Sequence, residues 1–303
     1  MARVARLHVA LVVGALVACA PAATEARRRA RGRAASRLRG GSDAATSFQQ
    51  QYWIPLESSP EVFNDFARRM GVGAGWAFAD VLGLDDELLQ MVPQPCIAVV
   101  LLFPVSPRLS RSELARARRR SERAVSPRVF FMRQYVGNAC GTVAALHALL
   151  NNRQHLSLGA GPLRELVATG EGEGESDGEG AQACDDDQAP ADAELLGERM
   201  SSSTGVMAAS ESSGQLGGTP APARGVDADY HYICFVQSAA DGCLYELDGT
   251  KPSPINHGPV ADGLLRDAAR AIKRHFVTQM PDGHFNVMAL VKDEDGSLAA
   301  ARD

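Results

Sequence analysis

The sequence predicts one α+β domain over roughly residues 46–293, in which helices alternate with strands joined mostly by hairpins. A chain of 303 residues that is 45% hydrophobic has enough apolar material for a sizeable core. Helical patterns alternate along it with short runs rich in β-branched and aromatic residues. Two of those runs flank an Ala-Ala-Asp-Gly segment at 239–242, a typical hairpin loop.

The first half of this domain is expected to contain two helices and a buried strand. Residues 60–70 begin with a proline after Ser59, a suitable N-cap, so a helix is expected there. Residues 97–103 form an apolar run between two prolines, which is typical of a strand buried on both faces. Residues 142–150 are good helix formers with apolar positions spaced for one buried face.

The second half is expected to be richer in strands. Residues 230–236 alternate and are rich in aromatic and β-branched side chains, and residues 244–248 form a second strand that ends at an Asp-Gly turn. Residues 260–276 predict a helix with basic residues toward its C-terminus, and residues 285–291 predict a last strand. The tail at 294–303 is polar and is expected to be frayed.

The N-terminal segment, residues 1–42, has the composition of a targeting leader. It holds nine arginines and one acid, and an apolar run at 9–18 precedes the Arg-rich part. A short apolar run after a charged start is typical of a signal peptide, and an Arg-rich, acid-poor segment is typical of a transit peptide. The alternatives are a disordered leader, a translated upstream region or a mistaken start codon.

Three further segments are too biased in composition to form a core. Residues 171–187 carry eight acids and no basic residue, so a disordered insertion is expected. Residues 201–226 are rich in Ser, Gly, Pro and Ala and are expected to be a mobile loop, after a short helix at 191–200. Residues 108–128 hold eight arginines, and a solvated face is favoured over a nucleic-acid or membrane role because the net charge is only −5.

Cys140 lies in the run Gln134-Tyr-Val-Gly-Asn-Ala-Cys-Gly-Thr, and His231 and Asp248 follow it in the chain. The order Gln, Cys, His, Asp is that of a thiol hydrolase: a thiolate attacks, an imidazole carries the proton, a carboxylate orients the imidazole and an amide stabilises the oxyanion. The turn before the helix places Cys140 at a helix N-terminus, which favours a thiolate. Taken singly, Cys140 is more often a structural cysteine and His231 a core histidine.

The six cysteines, at 19, 96, 140, 184, 234 and 243, fit no zinc-binding spacing. Cys234 and Cys243 could face each other across the hairpin, and a disulfide there would require an oxidising compartment. A reduced intracellular protein with one catalytic thiol is the simpler interpretation.

The segment from Gln134 to Thr142 resembles the active-site segment of ubiquitin C-terminal hydrolases, cysteine peptidases that release groups from the C-terminal glycine of ubiquitin. The resemblance extends from about residue 51 to about residue 291 and keeps the order of the family's motifs. Its other parts are Trp-Ile-Pro-Leu-Glu at 53–57, Trp-Ala-Phe-Ala-Asp at 76–80, Glu-Leu-Leu-Gln-Met-Val-Pro at 87–93, the apolar run at 96–104, Leu-Tyr-Glu-Leu-Asp-Gly-Thr-Lys-Pro at 244–252, Pro-Ile-Asn-His-Gly at 254–258 and Phe-Asn-Val-Met-Ala-Leu at 285–290.

This resemblance implies a role for each of the four residues. Cys140 would be the nucleophile, His231 the proton donor and acceptor, Asp248 the residue that orients it, and Gln134 the oxyanion donor. The implied fold is papain-like, a central antiparallel sheet flanked by helices, and the family also has a knotted backbone. No metal and no organic cofactor is implied.

The resemblance also implies ubiquitin, or a ubiquitin-like protein, as the partner. Its binding surface would include residues 55–60, part of 201–226 and the strand region 282–287, with Glu57 facing the arginines of the ubiquitin tail. The residues at 201–226 would be the active-site crossover loop, and greater loop length should admit larger leaving groups. The individual contact residues expected are Pro55, Leu56, Glu57, Pro60, Phe285 and Asn286.

The function implied is a deubiquitinase that hydrolyses small or flexible adducts of ubiquitin through an acyl-enzyme on Cys140. The alternative is a ubiquitin-binding protein whose catalysis is lost or autoinhibited. A general papain-like protease is less well supported, because the Cys-Gly-Ser-Cys-Trp pattern is absent.

The expected mature protein is a monomer in the cytoplasm, bound to neither nucleic acid nor membrane, unless the leader directs it to an organelle. Residues 37–41, Arg-Leu-Arg-Gly-Gly, reproduce the end of ubiquitin. They are either a self-processing or inhibitory tail or, as we prefer, a coincidence in an Arg/Gly-rich leader.

Overall fold

The computed structural model of the protein describes residues 51–105, 124–168, 192–223 and 225–298. The helices are α1 (Pro60–Arg69), α2 (Asp86–Leu89), α3 (Cys140–Leu150), α4 (Pro162–Val167), α5 (Ala193–Ser202), α6 (Thr204–Gly214) and α7 (Leu264–His275), with 3-10 turns at Arg153–His155 and Val277–Gln279. The strands are β1 (Trp76–Asp80), β2 (Cys96–Pro104), β3 (Tyr230–Gln237), β4 (Cys243–Leu247), β5 (Ile255–Pro259) and β6 (Asn286–Lys292).

The strands form one antiparallel sheet in the order β1-β6-β2-β3-β4-β5, with helices on both of its faces. α1 and α3 pack on one face, and α7 and α2 cover the other. The apolar run of β2 lies inside the sheet between β6 and β3, so both of its faces are covered, as predicted. The α+β class and the antiparallel sheet flanked by helices are thereby confirmed.

Several predicted elements are confirmed with small shifts at their ends. The predicted helix at 60–70 is α1, and the Ser59 hydroxyl accepts a hydrogen bond from the Val62 N–H at 3.3 Å, as an N-cap does. The short helix predicted at 191–200 is α5. The predicted strands at 97–103, 230–236, 244–248 and 285–291 correspond to β2, β3, β4 and β6.

The helix α3 differs from its prediction because it is buried all round. Every one of its residues, from Cys140 to Leu150, is buried, whereas one buried face was expected. β2 and β3 cover one side of α3, while α1 and the segment before Cys140 cover the other. A helix that is apolar on every side is the type that occupies such a central position.

The prediction that residues 201–226 form a mobile loop is wrong for residues 204–214, which form α6. The serines that weaken the helix signal are paired through tertiary contacts. The Ser210 hydroxyl lies 2.7 Å from that of Thr142, and the Ser213 hydroxyl donates to Asp65 at 2.8 Å. These buried hydrogen bonds stabilise a helix that local propensity alone does not predict.

The pairing of β3 with β4 excludes the disulfide that the sequence left open. Cys234 lies opposite Leu247, and Cys243 follows the hairpin turn, so the two cysteines are not cross-strand partners. Both are free thiols. The turn at 239–242 is present as predicted, and Gly242 takes a left-handed φ of 66° in it.

Two further boundaries differ from the predictions. The helix predicted at 260–276 begins only at Leu264, because residues 260–263 form a turn and Asp267 accepts the Ala261 N–H at 2.6 Å. In the tail predicted to be frayed, residues 294–298 form a turn with Leu298 against the core, and residues 299–303 lie outside the described residues. Residues 1–42, the acidic insertion at 171–187 and most of the basic run at 108–128 lie outside the described residues.

Across the part of the chain described above, no helix combines the length and apolar composition needed to cross a membrane.

Candidate active site

Cys140 is the first residue of α3, and the turn before it is fixed by Asn138 and Gly137. Asn138 has a left-handed φ of 62°, which its short polar side chain tolerates. A Cβ at Gly137 would lie 2.5 Å from the ring of Tyr52, so only glycine fits there. The Gly137 N–H also donates to the Gln51 carbonyl at 2.8 Å. The thiol is thus held at a helix N-terminus, where the dipole favours a negative charge.

His231 lies between the thiol and a carboxylate. Its Nε2 atom is 2.7 Å from Asp248 Oδ1, and the Cys140 side chain is near enough to the ring to raise the pKa of the imidazole. Because Nε2 is paired with Asp248, Nδ1 is the ring nitrogen left to face the thiol. Phe103 packs edge-on against the imidazole, with ring centroids 5.6 Å apart.

The sheet and its hairpin bring these residues together. His231 is the second residue of β3, and Asp248 follows the last residue of β4, so the antiparallel pairing of the two strands places both at one end of the sheet. The N-terminus of α3, which packs on β3, reaches the same end. The predicted residues Cys140, His231 and Asp248 therefore form one cluster.

Asp248 is almost fully buried, at 3% exposure, and is surrounded by donors. Its Oδ1 accepts hydrogen bonds from the Thr250 N–H at 3.0 Å and the Thr250 hydroxyl at 2.7 Å, in addition to the contact with His231. Its Oδ2 accepts from Lys251 Nζ at 2.6 Å. These contacts fix the plane of the carboxylate as well as its position.

The electrostatics of this cluster favour a charged carboxylate and a protonated imidazole. Burial alone would raise the pKa of Asp248, but the charges of His231 and Lys251 and their hydrogen bonds lower it well below its usual value. Burial alone would lower the pKa of His231, but the charge and hydrogen bond of Asp248, with the adjacent Cys140, raise that pKa to about 10. The imidazolium form needed beside a thiolate is therefore the stable one at neutral pH.

Gln134 lies in the same cluster because it is packed against the turn that carries Asp248. Its N–H donates to the Gly249 carbonyl at 2.9 Å, and its Nε2 donates to the Val136 carbonyl at 3.0 Å. Its buried Oε1 has no hydrogen-bond partner among the described residues. A Cβ at Gly249 would lie 2.9 Å from the Val143 side chain and 3.1 Å from that of Gln134, so this packing requires glycine.

Within the described ranges, no group of three or more His, Cys, Asp or Glu side chains is arranged to hold a metal ion.

The comparison with protein families agrees with this geometry. The model of ubiquitin carboxyl-terminal hydrolase family 1 matches residues 53–278, which is most of the chain. The chain belongs to this family. The family consists of thiol-dependent cysteine peptidases, and the resemblance drawn from the sequence motifs is confirmed.

Curated relatives match this hydrolase over nearly their whole length. A probable ubiquitin carboxyl-terminal hydrolase of Dictyostelium discoideum is 35% identical over 247 residues, which cover 80% of this chain and 89% of that protein. Ubiquitin carboxyl-terminal hydrolase 3 of Arabidopsis thaliana is 35% identical over 251 residues, covering 82% and 98%. The catalytic domain of Trichinella spiralis UCH37, solved bound to ubiquitin vinyl methyl ester, has the same fold, with a TM-score of 0.57, 23% identity and coverage of 80% and 96%.

In this hydrolase the connection from α6 to β3, of which residues 215–223 and 225–229 are described, is anchored near both ends; we refer to these residues as the crossover segment. Near its start, the Thr219 N–H donates to Glu57 Oε2 at 2.7 Å. Near its end, Asn138 Nδ2 donates to the Val226 carbonyl at 2.9 Å and Asn138 Oδ1 accepts the Ala228 N–H at 3.0 Å. Asn138, two residues before Cys140, thus joins the crossover segment to the nucleophile turn.

Three of the residues predicted to bind ubiquitin, Leu56, Glu57 and Asn286, have contacts that place them near the cluster. Leu102 of β2 pairs with Asn286 of β6 on one side and with Tyr232 of β3 on the other. Asn286 is therefore level in the sheet with the residue that follows His231. Glu57 is half-buried beside the crossover segment. The Leu56 side chain is only 3% exposed, and its carbonyl accepts the Tyr232 hydroxyl at 3.0 Å, so Leu56 is a packing residue rather than a surface contact. Pro55, Pro60 and Phe285 are partly exposed.

Three residues of the site were given no role from the sequence. Lys251 contacts Asp248 across the turn that follows β4, and Asn138 contacts Val226, which is distant in the chain. Gly249 is required by the packing between α3 and the Gln134 segment. The glycine directly after Asp248 was interpreted only as part of a turn, although it could also have indicated close packing at that position.

Proposed function

We propose that this hydrolase cleaves small or flexible adducts from the C-terminal glycine of ubiquitin through a thioester on Cys140. The observation that carries the proposal is that one imidazole, His231, lies between the Cys140 thiol and the buried carboxylate of Asp248. The family membership and the names of the relatives support ubiquitin as the substrate protein.

In the first half of the reaction, Cys140 Sγ bonds to the carbonyl carbon of the glycine. The thiol proton is held on His231, whose positive charge Asp248 stabilises. As the tetrahedral intermediate collapses, His231 gives its proton to the departing amine or alcohol, and the bond to that leaving group breaks. The product is a thioester between Cys140 and ubiquitin.

The second half regenerates the enzyme. His231 takes a proton from water, whose oxygen bonds to the thioester carbon, and the carbon–sulfur bond then breaks to return the thiolate. Gln134 is the proposed oxyanion donor in both halves. Its amide carries two hydrogens, of which one is directed to the Val136 carbonyl and the other remains to face the oxyanion.

The restriction to small or flexible adducts follows from the crossover segment. Because Glu57 and Asn138 tie it near both ends, the leaving group must pass beneath or through a short anchored span. Glu57 also remains the proposed partner of an arginine in the ubiquitin tail, since a carboxylate that accepts the Thr219 N–H at one oxygen can accept a guanidinium at the other.

The test is hydrolysis of a fluorogenic ubiquitin C-terminal amide by the full chain. Cys140→Ala is compared with Cys243→Ala, a matched change at a partly buried free thiol outside the cluster. We expect activity in the wild type and in Cys243→Ala and none in Cys140→Ala. Tight ubiquitin binding without turnover by the wild type would instead support the alternative of a binding protein.

We further propose that the protein acts as a monomer in the cytoplasm, in ubiquitin-dependent protein turnover. The described cysteines, Cys96, Cys140, Cys234 and Cys243, are all free thiols, as is usual in a reducing compartment. Imaging of the full chain with a C-terminal fluorescent tag tests the location. An organellar signal that disappears when residues 1–42 are deleted would instead support the leader as a targeting sequence.

A further inference from the structure

Lys251 connects the Asp248 carboxylate to a second buried acid. It follows Asp248 by three residues, and its Nζ lies 2.6 Å from Asp248 Oδ2 and 3.8 Å from Glu246 Oε1. The Lys251 side chain is only 13% exposed, so these contacts are largely shielded from water. An ammonium group in such a position interacts much more strongly with a carboxylate than it would at the surface.

The two acids explain why a cation is present. Glu246 lies on β4 and Asp248 directly follows the last residue of that strand, and Lys251 Nζ reaches both carboxylates. Both are buried, with side-chain exposures of 0% and 3%. The second oxygen of Glu246 lies 2.9 Å from His257 Nε2 on β5. Two buried carboxylates that are close together repel each other, and Lys251 offsets this repulsion.

The two oxygens of Asp248 have different hydrogen-bond partners. Oδ1 faces His231 and Thr250, while Oδ2 is held by Lys251. Loss of the Oδ2 contact would leave the carboxylate held only through Oδ1. It would also leave the full negative charge of Asp248 acting on the imidazole.

We infer that Lys251 is a positioning residue for the reaction: it fixes the Asp248 carboxylate toward His231 and limits how strongly that carboxylate retains the imidazolium proton. This inference rests on the proposed roles of His231 and Asp248. A proton held less tightly is transferred more readily to the leaving group, so Lys251 should favour the step in which His231 acts as an acid.

The charged and titratable groups that face Asp248 come from each element packed around it. Lys251 brings an ammonium group within 2.6 Å of the carboxylate, so its removal changes the electrostatic field at Asp248. The others that interact with Asp248 are His231 of β3 and His147 of α3; Cys140 of α3 faces His231 instead, and Glu246 of β4 contacts Lys251.

The experiment measures kcat and KM for a fluorogenic ubiquitin amide from about pH 5 to about pH 10.5. The variants are Lys251→Met, Lys251→Gln as a second neutral variant, and Lys251→Arg, which retains the charge. Lys273→Met is the matched control, because it removes a lysine paired with Asp85 at 2.9 Å on the exposed end of α7. The His231 ring is also titrated by NMR in each variant, which requires no turnover.

For both neutral variants we expect the alkaline limb of the activity profile and the His231 titration to move to higher pH. We expect kcat to fall about tenfold while KM changes less than about twofold. In Lys251→Arg and in Lys273→Met, the alkaline limb of the activity profile should lie at the same pH as in the wild type.

The inference is overturned if the His231 titration stays unchanged in the neutral variants that fold, or moves equally in Lys273→Met. A wild type that shows no Cys140-dependent hydrolysis would contradict the proposed function instead. The NMR titration still decides the effect of Lys251 on His231 in that case, so the two failures are distinguishable.

Discussion

Replacing Asn138 by glycine should release the crossover segment without straining the nucleophile turn. Asn138 makes two hydrogen bonds to the segment, at 2.9 Å and 3.0 Å, and itself occupies a left-handed backbone conformation with a φ of 62°. Glycine adopts that conformation freely, so Asn138→Gly removes the two hydrogen bonds and little else. Asn138→Ala removes the same bonds and adds strain of about 1 kcal/mol.

The size of the effect follows from those contacts. Two hydrogen bonds with a net stabilisation of about 1 kcal/mol each hold the end of the segment closed. Their loss should lower the free energy of local opening by about 2 kcal/mol, which raises the open population about 30-fold. The global free energy of unfolding should fall by no more than this amount, and by about 1 kcal/mol further in Asn138→Ala.

Two assays measure the release. Hydrogen exchange of the amides at 225–229 reports local opening. The ratio of kcat/KM for ubiquitin fused to a folded protein to kcat/KM for a small ubiquitin amide reports passage of the leaving group and cancels any direct effect on Cys140. We expect both the exchange rates and this ratio to rise at least about tenfold in Asn138→Gly. Faster exchange with an unchanged ratio would refute the reasoning that the anchored segment restricts the adduct.

Two further predictions follow from the site and its surroundings. Gly249→Ala should lower the free energy of unfolding by about 1–3 kcal/mol and also lower kcat, because the added Cβ meets Val143 and Gln134. Chemical denaturation measures the first effect, and a variant with unchanged stability and full activity would contradict the prediction. Burial lowers the pKa of His147 to about 4, well below the unfolded value of 6.5, so His147 costs stability as the pH falls through this window. The stability advantage of the wild type over His147→Gln should therefore shrink by about 2 kcal/mol between about pH 7 and about pH 5, and urea unfolding that shows a constant difference would be inconsistent with it.

The parts of the fold that sequence predicted well are those determined locally. The proline after Ser59, the run between two prolines and the alternation around His231 each specify their element through short-range physics. The order of Cys140, His231 and Asp248 could be interpreted because each lies at the end of a predicted element. Pairing those ends brings the three together without knowledge of any long-range contact.

The features that sequence did not predict depend on long-range partners. The serines of α6 are compatible with a buried helix because their hydroxyls form hydrogen bonds with Thr142 and Asp65. The register that separates Cys234 from Cys243 is set by the hairpin as a whole. Lys251 and Asn138 have ordinary positions in turns, and their importance is visible only when the carboxylate and the crossover segment that they contact are placed.

The central claim, that Cys140 forms the covalent intermediate with ubiquitin, is tested most directly by trapping that intermediate. The full chain is mixed in excess with a ubiquitin C-terminal ester, quenched with acid and analysed by mass spectrometry. We expect an adduct of one ubiquitin, labile to hydroxylamine, on the peptide that contains Cys140, and no adduct in Cys140→Ala. Turnover without any adduct under conditions where deacylation is slow, or an adduct on Cys96 or Cys243, would contradict the proposed mechanism.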